Sequence, residues 1–270
     1  MRSTATSGTS PSQRRWESRT ERAREMREKH PAAAALLQFY EVILGFQSEL
    51  AEEFKAPVRR EVSLRGQIDV TAAALGIPSL VVLAARHGPE ALALHARNLQ
   101  QEGETGWRRI LESALTDGAN LSPLDNFFAR ACLQPIAENL QMQLPPDTNY
   151  NKSVCPACGG LPQLAVLKPE GEGASRWLLC SFCLLEWLYR RIVCPWCGEE
   201  DKEKLPRYSA EECGHVLVEA CDTCKKYLKA VDMTIDGHAE PLVDEAALAV
   251  LDVWAADHGY TKIVENLVGF

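Results

Sequence analysis

The chain has 270 residues, 46% apolar and 24% charged, enough for two ordinary domains with their own cores. No stretch approaches the roughly 20 apolar residues of a membrane span, so no stable membrane insertion is expected. The net charge is −8 and unevenly placed: residues 151–270 hold 12 Lys/Arg against 19 Asp/Glu (−7), and residues 1–150 hold 17 against 18 (−1). An acidic second half opposes a role that tracks nucleic-acid phosphates.

In chain order, residues 1–13 are Ser/Thr-rich without apolar periodicity and are expected to be a disordered tail. The Arg14-Arg15 pair could pass for an export signal, but Trp16–Lys29 is densely charged where such a signal needs an apolar core. A surface helix and a cytoplasmic location are expected. From Ala32 to Phe54 the apolar residues Leu36, Leu37, Tyr40, Ile43, Leu44 and Leu50 recur at helical spacing, and Pro57 ends the run. Pro89 suits the first turn of a helix through Leu92 and Leu99. Ser122-Pro123 predicts the N-cap of a helix through Phe127, Phe128 and Leu133, which Pro135 should kink or divide. Nothing between 14 and 144 alternates like strands. The breaker cluster Pro145–Asn149 places a boundary after the helical domain, 14–148.

Beyond it the texture becomes short strand-like runs between cysteines. Nine of the ten cysteines follow residue 150, and eight of these form Cys-x-x-Cys pairs. Cys155/Cys158 and Cys180/Cys183 enclose 21 residues; Cys194/Cys197 and Cys221/Cys224 enclose 23, so one small unit is repeated, over 149–190 and 191–235. Two thiolates on one tight turn grip half of a tetrahedral ion, and a hairpin brings the second pair to complete it. Disulfides or redox pairs fit less well, because no βαβ pattern surrounds the motifs. The repeat argues for sequential sites, although the short gap from Cys183 to Cys194 leaves an interleaved cross-brace open. Sulfur ligands suit iron or zinc alike.

Among the remaining residues, Cys213 and His215 are read as part of a turn, Cys132 as a buried small hydrophobe, and Trp187 and Trp196 as core. Val243–Ala256 reads as one helix in a C-terminal segment, 236–270. No nucleophile elbow, phosphate loop or open metal position is present in the sequence, so a binding module, not an enzyme, is expected. The predicted class is α+β: an all-helical N-terminal domain, two tandem β units, and a C-terminal helix.

The motifs Cys155-Pro-x-Cys-Gly-Gly-x-Pro162, Arg191-x-x-Cys-Pro-x-Cys-Gly198 and Val218-Glu-x-Cys-x-x-Cys-x-x-Tyr227-Leu-Lys229-x-x-Asp232, with Leu251-Asp252, Gly259-Tyr260 and Asn266, resemble the formate dehydrogenase accessory protein FdhE family. The resemblance covers roughly the last 120 residues. It implies two rubredoxin- or zinc-ribbon-like units that bind iron (alternatively zinc) and a part in the maturation of formate dehydrogenase, through its catalytic subunit. Self-association stays open. One departure stands out: rubredoxins carry glycine after both knuckles, whereas Leu184 and Lys225 follow the second and fourth here. Rival readings are an iron-dependent redox protein and a nucleic-acid-binding ribbon.

Overall fold

A computed structural model describes residues 11–116, 121–145 and 150–269. The expected tail over 1–10 and the boundary residues 146–149 lie outside the described residues. Residues 11–13, expected in the tail, open a helix instead.

The first half is helical, as its periodicity predicts: α1 (Pro11–Lys29), α2 (Ala34–Glu53), the short α3 (Val70–Ala74), α4 (Ile77–His87), α5 (Glu90–Thr116) and α6 (Pro123–Gln141). The Ser122 hydroxyl accepts from the Asp125 N–H at 3.0 Å, the cap read from the sequence. The most apolar 18-residue stretch, Val70–His87, is split between α3 and α4 at Leu75–Gly76.

Helix α1 is a correction. It packs on α2 and on the C-terminal part, with Trp16, Ala23 and Met26 buried. Two of its charges, Arg19 and Arg22, are buried and used internally, while Arg14, Glu17, Glu21, Arg24, Glu28 and Lys29 stay on an exposed face as expected of a surface helix. Arg19 forms a buried bidentate pair with Glu138 of α6, at 2.7 and 3.1 Å, and Arg22 reaches Asp236 at 2.6 Å and Asp244 at 3.0 Å. Planar guanidinium groups suit such forks, and buried forks survive only when both partners are present.

Three helix irregularities share one solution: a long side chain catches the carbonyl that loses its partner. Pro135 does not divide α6. It lacks the N–H that would bond Ala131 O, and the buried Gln47 of α2 donates to that oxygen at 3.2 Å. In α5, Gly103 adopts φ 62°, and Trp107 Nε1 donates to Leu99 O at 2.9 Å. The helix expected over Val243–Ala256 is two, α7 (Pro241–Ala247) and α8 (Val250–Asp257). Lys229 Nζ enters the break, donating to Glu245 O and, at 3.3 Å, to Leu248 O. No periodicity reports such a break, because its cause lies on a distant strand.

The second half is one mixed sheet. The first unit supplies β1 (Pro162–Glu170), β2 (Gly173–Cys180) and β3 (Glu186–Leu188); the second supplies β4 (Arg207–Tyr208), β5 (Val216–Ala220) and β6 (Lys226–Asp232), with β7 (Thr261–Lys262) beside β6. The order is β3-β2-β1-β6-β5-β4. Within each unit the pairing is antiparallel; the units join through a parallel β1–β6 pair, Leu164 opposite Lys229. Being central, β1 is buried without alternation over Pro162–Leu167, whereas β5 alternates and turns Val216, Val218 and Ala220 toward Leu251 and Ala255 of α8. Arg176 of β2 also spans the units, donating to Glu219 of β5 at 2.8 Å. One apolar core runs from Phe128 and Tyr40 of the helices through Leu178, Trp187 and Leu228 of the sheet.

Lys229 is fully buried with Glu245 (3.1 Å) and Asp252, which also accepts from Tyr227 OH at 2.8 Å; Lys262 and Asn266 complete the group around Glu245. Burial alone would raise the Glu245 carboxyl, but Lys229 and Lys262 hold it down, from 4.5 to about 2. A depressed carboxylate contributes stability that is complete above its unfolded value and lost as pH falls through the folded value. Denaturant unfolding of Glu245→Gln should therefore show a deficit of about 3–5 kcal/mol at neutral pH. That deficit should shrink as pH falls from 4.5 toward about 2. Gln47→Met should cost about 1–3 kcal/mol. In a Pro135→Ala background, where the restored N–H can serve Ala131 O, the same change should cost measurably less in a thermal-denaturation double-mutant cycle.

Candidate metal centres

Each Cys-x-x-Cys pair sits on the same backbone turn. The N–H of the first cysteine donates to the carbonyl five residues on: Cys155 to Gly160 (2.7 Å), Cys180 to Leu185 (2.9 Å), Cys194 to Glu199 (2.9 Å) and Cys221 to Lys226 (2.9 Å). In three of the four, the N–H of the fourth residue on returns to the cysteine's own carbonyl: Gly159 (2.9 Å), Gly198 (3.0 Å) and Lys225 (2.8 Å). That residue must turn left-handed. Gly159 and Gly198 have φ 72° and 78° and pay no β-carbon penalty. Leu184 (φ 58°) and Lys225 (φ 57°), where the sequence departs from glycine, adopt the same conformation and are the only non-glycine residues with positive φ among those described. The left-handed residue is thus present in all four knuckles, with strain retained in two.

The sulfurs gather into two sequential quartets, Cys155/Cys158/Cys180/Cys183 and Cys194/Cys197/Cys221/Cys224, each with all four Sγ atoms within 4.8 Å of one another. The interleaved cross-brace is not the arrangement formed. Sulfur separations are 3.5 Å (Cys155–Cys183) and 3.4 Å (Cys158–Cys180) in the first, and 3.8 Å (Cys194–Cys224) and 3.7 Å (Cys197–Cys221) in the second. A tetrahedron with ~2.3 Å metal–sulfur bonds has edges of about 3.8 Å. No disulfide joins any of them. Backbone N–H groups point at the sulfurs: Gly160 to Cys158 at 3.4 Å and Phe182 to Cys180 at 3.3 Å. A β-carbon at Gly160 would lie 3.1 Å from Cys180 Sγ and 3.2 Å from Cys158 Sγ, so only glycine leaves the first quartet uncrowded.

The titration of the thiols fits a set built for a cation. Hydrogen bonds from Cys155 and its neighbours stabilise the Cys158 thiolate and lower its pKa, whereas burial drives Cys180 up and the thiolate neighbours drive Cys183 up. Without a positive centre, the quartet can hold only part of its charge; a metal ion replaces the retained protons. Residues and geometry together could hold one tetrahedral ion per quartet.

The quartets differ in setting. The first is clamped by the helical half. Arg65 donates to Cys158 O at 3.2 Å and stacks 4.1 Å over the Phe182 ring. Arg130 and Gln134 of α6 donate to Ser181 O at 3.0 and 2.8 Å. Burial pulls the Arg130 guanidinium down to about 10, with Cys180 opposing the shift. These residues were not singled out from the sequence; the one signal was an arginine inside the apolar run 127–137. The second quartet reaches the surface, with Cys197 exposed. Trp196 on its knuckle is 47% exposed, a correction to its expected core position, while Trp187 is buried as expected.

Cys213 is buried in the apolar cluster under α8 and joins none of the ligand groups formed among the described residues. His215 instead joins Asp236 and Asp244, with Nε2 2.6 Å from Asp244. Arg22 bonds both carboxylates, so its guanidinium already supplies the positive charge that an ion would bring. This cluster is an ion-pair junction between α1 and the second unit.

Two family models match in tandem: FdhE, central domain, over residues 154–191, and FdhE, C-terminal domain, over 192–268. A protein FdhE homolog of Aquifex aeolicus (strain VF5) is 26% identical over 267 residues, 91% of this chain and 92% of its own length. The homolog of Pseudomonas aeruginosa is 32% identical over 71% of this chain and 66% of its own. The chain belongs to the FdhE family. The crystal structure of the FdhE protein from Pseudomonas aeruginosa shares its fold, with a TM-score of 0.69 at 24% identity over 94% of this chain and 95% of that one. Among the residues that carried the resemblance are the knuckles and a buried network of Tyr227, Lys229, Asp252 and Asn266 that ties the second unit to α7 and α8.

Replacing Lys225 tests the left-handed turn. Lys225→Gly and Lys225→Val both lose the ammonium contact with Asp222. The valine variant should nevertheless melt lower, by about 1–2 kcal/mol relative to glycine, because a β-branched residue resists φ near 57°.

Proposed function

We propose that this protein is a metal-binding accessory factor for the maturation of formate dehydrogenase, which binds the enzyme's catalytic subunit and has no catalytic turnover of its own. Membership of the FdhE family carries the reading. Cys155, Cys158, Cys180 and Cys183 would hold one ion, and Cys194, Cys197, Cys221 and Cys224 a second, with iron expected and zinc as the alternative. Four cysteine ligands leave no position for substrate water, which supports a structural or recognition role over hydrolytic chemistry.

The two settings favour a division of labour. The first quartet sits where the helical half grips the sheet, and its ion would set that joint. The second lies at the surface and would stiffen a face presented to the client. Rigid presentation lowers the ordering cost of binding.

Deletion of the gene in the native cell should abolish formate dehydrogenase activity under conditions that require the enzyme, and the tagged protein should co-purify with the catalytic subunit. Cys158→Ser should remove one of two bound ions per chain, read by elemental analysis, and reduce complementation. Intact enzyme activity in the deletion strain would end the assignment.

A further inference from the structure

A cleft of about 310 Å³ opens at the junction of the two β units, against the second quartet, whose Cys194 and Cys221 form part of its wall. Its floor is apolar, formed by Val193, Leu205, Leu228 and Ile263, and Ile192 and Trp196 stand next to it 50% and 47% exposed. Five cations line it. Arg176 and Arg207 both spend their charge on Glu219. The other three, Arg191, Lys202 and Lys226, have no ion pair among the described residues; Lys226 lies over the Trp196 ring at 5.2 Å.

Three unpaired cations around an apolar cleft contrast with their surroundings, since residues 151–270 carry −7 overall. Elsewhere on this half three of the four exposed cations are matched locally, Arg190 by Glu200 (2.8 Å), Lys204 by Asp201 (3.8 Å) and Lys225 by Asp222 (2.6 Å), and only Lys152 is unmatched among the described residues. Concentrated uncompensated charge calls for carboxylates from outside, and an apolar floor flanked by tryptophan and arginine has the composition of a protein-binding hot spot. A nucleic-acid backbone fits worse: it would follow a continuous basic stripe, and here the cations ring a single apolar depression in an acidic surface.

We infer that this cleft docks an acidic segment of the client protein, with an apolar side chain seated over Val193 and Leu228 and flanking carboxylates paired with Arg191, Lys202 and Lys226. The inference rests on the client reading above and adds the surface and the chemistry of the segment it takes.

The test is affinity of the full-length, metal-loaded protein for the purified formate dehydrogenase catalytic subunit from the same organism, at low and high salt. Wild type should bind, more weakly as salt rises. The double variant Arg191→Glu/Lys202→Glu should bind at least about tenfold more weakly at low salt, with unchanged metal content. Ile192→Asp should also weaken binding, whereas Arg59→Glu/Arg60→Glu, an equal charge change on the helical half, should not. Undiminished binding by the cleft variants would overturn the docking site and leave the client reading intact. No binding by wild type would overturn both. Binding of single-stranded RNA that only the cleft variants lose, with client affinity unchanged, would assign the cleft to nucleic acid and overturn the inference as well.

Discussion

Four thiolates cannot share a volume a few ångströms across unless a cation sits among them. Each quartet is assembled by two turns that share the bond from the first cysteine's N–H to the carbonyl five residues on, and burial, together with the neighbouring sulfurs, pushes the Cys180 thiol up in the first quartet. Everything in the sheet is arranged from these points. The hairpins between knuckles set the strand lengths, the fourth knuckle launches β6, and β6 pairs with β1 to make two repeats one layer. Such units bury too little to fold by themselves, so metal binding would stand in for a large core.

The second support is ionic: Arg22 and Arg130 bridge the two halves, and Arg19 and Lys229 tie elements together within each half. Arg19 and Arg22 of α1, Arg130 of α6 and Lys229 of β6 are all buried, and each satisfies carbonyls or carboxylates that belong to another element. Buried pairs of this kind add little net stability compared with apolar packing, but removing one partner is costly, so they fix which surfaces meet. This accounts for a helical half and a metal half that share one core, with the first quartet held at the seam and the second facing outward.

The helices, the four knuckles and their sequential pairing were legible because each has a local signature: apolar periodicity, a Ser-Pro cap, a fixed Cys spacing repeated twice. What was not legible depended on distant partners. Arg19 and Arg22 in the charged run of α1 read as solvated until Glu138 and Asp244 arrive from more than a hundred positions away. Pro135 reads as a helix breaker until Gln47 supplies the missing donor. The split between α7 and α8 follows from Lys229, whose ammonium competes for helix carbonyls. Trp196 reads as core by residue type, yet stands exposed on a knuckle whose fold is held by sulfur and backbone, with no need of a large side chain beneath it. Leu184 and Lys225 show the reverse case: residues that disfavour a left-handed turn adopt it because the turn is over-determined by its neighbours.

The most direct measurement is metal content and secondary structure on one natively purified sample, before and after removal of metal by a strong chelator under reducing conditions. Two ions per chain, with the β signal collapsing on their removal while helical signal largely persists, is the expected result. A chain that holds its full sheet with no bound ion would contradict the proposal that this half depends on ions held by its cysteines.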